Sequence, residues 1–183
     1  MSSLSQKHNK EIFQFGILSS LFAILVLVVI YIIGAEYIMS PLAWIASYIM
    51  PLFFSIWASI TVKRKQEGFI EFKEVLKINF GVLVLTGITS TLYSYVMFNF
   101  IDPPFAESLK QITIEKTIEF MNKFKVPETE IDKAVDELIQ KDLWSFSSLM
   151  KSLANVCIFY FIEALIVAAI IKKKKPEDIF NTI

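Results

Sequence analysis

Glu163 is the residue whose placement most invites chemistry. It is the only charged side chain between Ser152 and Ile171, nine residues before Lys172, which puts it about 13 Å along a helix from that lysine. An ionised acid so deep in an apolar helix costs at least ~2.5–3.5 kcal/mol on insertion scales. Two chemistries suit it: a proton or cation relay, or a neutral acid hydrogen-bonded to another helix. Matching depths along the other apolar runs brings Ser20, Ser55, Thr86 and Thr89 to a comparable level, so their hydroxyls are the expected partners. The expected role is structural, a bond contributing ~0.6 kcal/mol, because one carboxylate without a second ionisable group makes a poor pathway.

The remaining reactive residue types are sparse. His8 and Cys157 are the sole histidine and cysteine and lie at opposite ends of the chain. One cysteine forms no intrachain disulfide, and it reads most simply as a small apolar side chain. His8 is expected in a mobile tail. There is no H-E-x-x-H, G-x-S-x-G, phosphate-binding glycine loop or acidic metal cluster, so no catalytic residue, cofactor or metal is assigned. The run Lys172, Lys173, Lys174 and Lys175 suits anionic lipid headgroups, at ~1 kcal/mol per lysine near the surface. It follows an apolar run and has no interleaved aromatics, which argues against nucleic acid.

The elements that carry these residues follow from composition. Of 183 residues, 55% are apolar and 20% charged, whereas a soluble domain carries roughly a quarter charged residues, spread along the chain. Here Phe15 to Ile33, Ser40 to Val62 and Ile78 to Ile101 have none. Each reaches the ~20 residues needed to cross a bilayer. The expectation is an all-α integral membrane four-helix bundle forming one domain over 1–183, with spans at about 13–34, 41–62, 78–101 and 149–171. The first run exceeds the roughly 7–15 residues of a signal h-region and is read as a retained span. Gly81, Thr86, Gly87, Thr89, Ser90, Thr91 and Ser94 make the third span small and polar, which suits close packing at the bundle centre. Pro51 should kink the second.

Orientation comes from the lysines. Lys7 and Lys10, then Lys63, Arg64, Lys65, Lys73 and Lys77, then Lys172 to Lys175 all fall on one side of four alternating spans. The positive-inside rule makes that side, with both termini, cytoplasmic. The segment 102–148 is then an extracytoplasmic insert. Asp102 can cap a helix, and Pro103-Pro104 suit its first turn. Two amphipathic helices joined at Val126-Pro127 are expected, with Phe105, Leu109, Ile112, Met121, Phe124, Ile131 and Leu138 on their apolar faces. Those faces either cover one another and the span ends or meet a partner.

Several stretches together resemble the bacterial family called domain of unknown function 4199, found chiefly in Bacteroidota. They are "EGFIEFKEVLKINF" entering the third span, "FNFIDPPFAESL" leaving it, "IEFMNKFKVPETEIDKAVDEL", and a last span ending "ALIVAAIIKKKKPE". The resemblance implies a four-span inner-membrane protein with an acidic insert between the third and fourth spans, and no activity. The expected function is a non-enzymatic scaffold or interaction subunit, with membrane lipids and a membrane-protein partner or further copies of itself as partners. The alternative is a small proton- or cation-coupled transporter or channel centred on Glu163.

Overall fold

The computed structural model describes residues 8–175. They form six helices: α1 (Asn9–Ile33), α2 (Pro41–Lys65), α3 (Phe72–Ile101), α4 (Pro103–Lys123), α5 (Glu128–Gln140) and α6 (Phe146–Ile171). Helices α1, α2, α3 and α6 are long and apolar enough to cross a membrane. The protein is an all-α membrane protein with four such helices, and its described residues hold no strand.

Local chemistry sets the helix ends. Helix α2 starts at Ser40, whose Oγ accepts from Ala43 N (3.1 Å), with Pro41 in the first turn. Helix α3 starts with a reciprocal box in which Glu71 and Glu74 each cap the other's backbone N–H, two orphan donors satisfied at once. Asp102 caps α4 by accepting from Phe105 N (3.0 Å), and Ser145 caps α6 by accepting from Ser148 N (3.3 Å). Pro51 does not end its helix. A π turn over Ile45–Ile49 lies just before it, a backbone adjustment that accommodates a proline inside a membrane helix. A second π turn, Met97–Ile101, closes α3.

Helix α3 is the centre of the bundle, packing against α1, α2 and α6. The core joins Ala58 and Val62 of α2, Val75, Ile78 and Val82 of α3, and Val167 and Ala168 of α6. Small residues set the approach of α1 to α3: a Cβ on Gly16 would lie 2.5 Å from Leu85 Cδ2. Leu21 and Leu25 on α1 and Ile158 and Ile166 on α6 face outward, as lipid-facing side chains do.

The crossings alternate. At one end His8 lies against Glu74, Lys63 Nζ donates to Ile171 O (2.7 Å), and Ile70 and Lys173 exchange backbone hydrogen bonds of 2.9 Å. This is the lysine end. At the other, Tyr31 Oη donates to Asp102 Oδ2 (2.9 Å) and Trp144 Nε1 to Ala106 O (3.1 Å). From this second end rises a hairpin of α4 and α5.

Candidate functional site

Helix α6 meets the core through Ala164, Val167 and Ala168, and Glu163 beside them is half-buried. Among the described residues Glu163 has no hydrogen-bond or ion-pair partner. The hydroxyls expected to serve it are placed elsewhere. Ser55 Oγ donates to Leu52 O (2.8 Å) and Thr89 Oγ1 to Leu85 O (2.9 Å). Thr86 Oγ1 lies 2.9 Å from both Ser19 Oγ and Val82 O, and the buried Ser20 Oγ has no partner among the described residues. The physical reason is position both along and around the helices: the Phe161 ring meets Phe80 (ring centres 5.6 Å apart) and Tyr160 lies beside Gly87, so Glu163 sits on the lysine side of Thr86 and Thr89. Thr86 turns toward Ser19 on α1, whereas α1 and α6 both pack on α3 without substantial contact between themselves.

The closest interhelix polar contact in the bundle interior joins other residues. Asn79 Nδ2 donates to Ser59 Oγ (2.6 Å) and to Val75 O (3.0 Å), and both side chains are fully buried. Sequence reasoning passed over this pair and over Ser19. An asparagine inside an uncharged run, where an unsatisfied amide is costly, was the available signal.

A cavity of about 310 Å³ opens in the hairpin-side half of the bundle. All four crossings line it. Thr86, Gly87, Ser90, Thr91 and Ser94 come from α3, and Ser47, Tyr48 and Pro51 from the irregular part of α2. Helix α6 adds Leu149, Ser152, Leu153, Val156 and Tyr160, and α1 adds Ala23 and Leu27. The cavity exists because α2 and α6 touch along only a short stretch. Gly87 admits α6 at its floor, where an added Cβ would stand 3.1 Å from both Leu153 and Tyr160 side chains. Glu163 lies one helical turn beyond Tyr160 toward the lysine end.

At the lysine end, His8 is held in the fold rather than in a tail. Its Nε2 lies 3.2 Å from Glu74 Oε1, with the two side chains 11% and 10% exposed. Gln66 completes the cluster, accepting from His8 Nε2 (3.3 Å) and donating to Glu74 Oε2 (3.2 Å) and Phe69 O (3.1 Å). The tail expectation fails because α1 begins at Asn9, so its first turn reaches the loop before α3. Lys172 to Lys175 are all exposed. Lys172 Nζ stands 5.6 Å from the centre of the Phe72 ring and Lys173 Nζ 5.4 Å from that of Phe69. Lys173, Lys174 and Lys175 also border a 440 Å³ cleft with Lys65 and three glutamates.

The hairpin divides in two. Its near part is internal: Leu109 (1% exposed) and Ala106 are buried with Ala35, Met97 and Phe98, with Phe105, Ile112 and Trp144 packed beside them. Ile131 is buried and Leu138 half-buried on α5. Of the residues considered for a partner surface, Phe105, Leu109, Ile112, Ile131 and Leu138 are thus partly or wholly covered by the chain's own packing. The far part is different. Phe120 and Phe124 are 63% and 65% exposed, their ring centres 4.8 Å apart, with Met121 half-buried between them. Lys116, Glu119 and Lys123 border Phe120. Phe120 itself was not foreseen; its spacing of four from Phe124 was the signal.

No curated protein and no solved structure matches the chain. A family model described as "Protein of unknown function (DUF4199)" matches residues 14–173. That stretch runs from within α1 to just past α6 and takes in the hydroxyl-lined cavity and the hairpin, and the chain therefore belongs to this family of proteins of unknown function.

Proposed function

We propose that the protein is a non-enzymatic interaction subunit of the bacterial inner membrane. Both termini face the cytoplasm, and the far end of the hairpin meets the extracytoplasmic part of a second membrane protein. The observation that carries the reading is the exposed Phe120–Phe124 pair. Both rings are exposed although α4 packs on the crossings near its start and also against α5. Aromatic anchors rimmed by charge are the usual energetic centres of protein interfaces. Lys116, Glu119 and Lys123 supply that rim. The orientation rests on the lysine-rich ends, which lie together at the end away from the hairpin.

The test is photo-crosslinking from position 124 in intact membranes, followed by purification of the captured protein and measurement of its affinity. Phe120→Ser with Phe124→Ser should weaken binding by at least tenfold, since each lost anchor typically costs more than ~1 kcal/mol. A captured second copy of this chain would convert the reading into self-association. Crosslinks to lipid alone, or unchanged affinity in the double variant, would remove it.

A further inference from the structure

We propose that the cavity between α2, α3 and α6 is a binding site for an uncharged lipid whose head carries hydroxyl and carbonyl groups, as a diacylglycerol does. This rests on the intramembrane cavity alone and is independent of the hairpin reading.

The first argument is hydrogen bonding. Serines and threonines in membrane helices commonly return their proton to the carbonyl one turn back, as Ser55, Thr86 and Thr89 do. Ser47, Ser90, Thr91, Ser94, Ser152 and Tyr160 all line the cavity, and among the described residues none of them has a hydrogen-bond partner. Six unpaired hydroxyls converging on one space are costly in hydrocarbon. An occupant that both donates and accepts relieves that cost.

The second argument is depth and access. By helix rise, Ser94 lies about 11 Å and Thr86 about 22 Å from the hairpin-side end of α3. The site is therefore within the hydrocarbon, where a bilayer core is about 30 Å thick. Its flank lies between α2 and α6, which barely touch, so a ligand can enter from the lipid phase. The π turn over Ile45–Ile49 presents Ser47 and Tyr48 to it, and such turns recur at functional sites.

The third argument is polarity and size. Among the described residues no Asp, Glu, Lys, Arg or His lines the cavity, so a phosphate or ammonium head would be buried without a counter-charge. Ala23, Leu27, Leu149, Leu153 and Val156 supply an apolar wall beside the hydroxyls. That lining fits an amphiphile better than an ion. A volume near 310 Å³ is at the lower limit of ligand sites and accommodates a glycerol-ester head, with the acyl chains continuing into lipid.

The test uses the full chain in phosphatidylcholine nanodiscs with a diazirine-bearing diacylglycerol. Crosslinking should saturate and map to 86–94 and 149–160. Dioleoylglycerol should compete, and dioleoylphosphatidate, in which a charged phosphate ester takes the place of the free head hydroxyl, should not. Ser90→Ala with Ser94→Ala should lower the labelling affinity roughly tenfold, the effect of two lost hydrogen bonds of ordinary strength. Ser90→Leu, which fills the space, should abolish it. If Ser90→Leu fails to fold, as judged by its melting transition, the alanine pair decides. Labelling spread over lipid-facing residues such as Leu25 and Ile158, equal competition by the phosphatidate, or no change in the alanine pair would each overturn the proposal.

Discussion

Asn79 and Ser59 form a 2.6 Å hydrogen bond between α3 and α2 at a point where neither side chain is exposed at all. The amide also bonds Val75 O on its own helix, while its Oδ1 has no partner among the described residues. The pair is thus half-satisfied: it fixes the rotation of α2 against α3 more than it adds stability. Ser59→Ala should cost about 0.6 kcal/mol and no more than about 1.7, the range for interhelix hydrogen bonds in membranes. Asn79→Ala should cost more, about 2 kcal/mol, because it also leaves a void. Reversible unfolding in mixed micelles measures both, and a double-mutant cycle with coupling near zero would show the contact to be incidental.

The sequence marks the crossings because charge is excluded from them, and that pattern has the resolution of the hydrocarbon layer. The third span was expected from Ile78, yet the helix starts at Phe72. The helix extends past the apolar run because Glu71 and Glu74 cap it in the polar zone, where no hydropathy signal marks its continuation. The matching depths of Ser20, Ser55, Thr86 and Thr89 were counted from the ends of the apolar runs, and those ends carry neither the true helix starts nor the rotation about each helix axis. In the fold Phe161 stands against Phe80 and Tyr160 beside Gly87, so Glu163 lies on the lysine side of Thr86, which bonds Ser19 instead. The cavity was illegible for the same reason, since it depends on how far α2 and α6 stand apart. The start of α4 read well, because Asp102, Pro103 and Pro104 specify a helix start by local chemistry alone.

Asp102 serves two neighbours, taking the Phe105 N–H at Oδ1 and the Tyr31 hydroxyl at Oδ2. It therefore ties the start of the hairpin to the end of α1. Asp102→Ala removes both contacts and should destabilise the first turn of α4 by about 0.5–2 kcal/mol. Asp102→Asn keeps a capping oxygen and should retain most of that. Hydrogen exchange at the first amides of α4 is the direct readout, and equal protection in all three proteins would refute the capping role.

On the hairpin surface Lys116 Nζ lies 2.6 Å from Glu119 Oε2. That hydrogen bond, with the charge attraction behind it, holds the Glu119 carboxyl below its ordinary range and the Lys116 ammonium above its own. For a depressed acid the stabilisation is present above the unfolded pKa and is lost as pH falls through the folded one. Full exposure screens the pair, so the titration is the readout rather than the melting point. Lys116→Gln should move the Glu119 carboxyl midpoint upward in carbon-detected NMR. A midpoint that stays in place would mean that the pair does not persist in solution.

Glu163 separates the structural and transport readings most sharply. It is half-buried on α6 and none of the hydroxyls expected as its partners bonds it. If its role is only to occupy that face, Glu163→Gln should leave the fold intact and Glu163→Leu should raise stability, by up to the ~2.5–3.5 kcal/mol that an acid costs at mid-helix. A transport role requires the opposite pattern, in which stability is sacrificed for a protonatable group. Reconstituted protein would then pass protons down an imposed gradient, and Glu163→Gln would stop it. Among the described residues no side chain forms a hydrogen bond or ion pair with Glu163 through which a proton could be handed onward. Proton flux in liposomes, with both variants measured beside their unfolding midpoints, distinguishes the two.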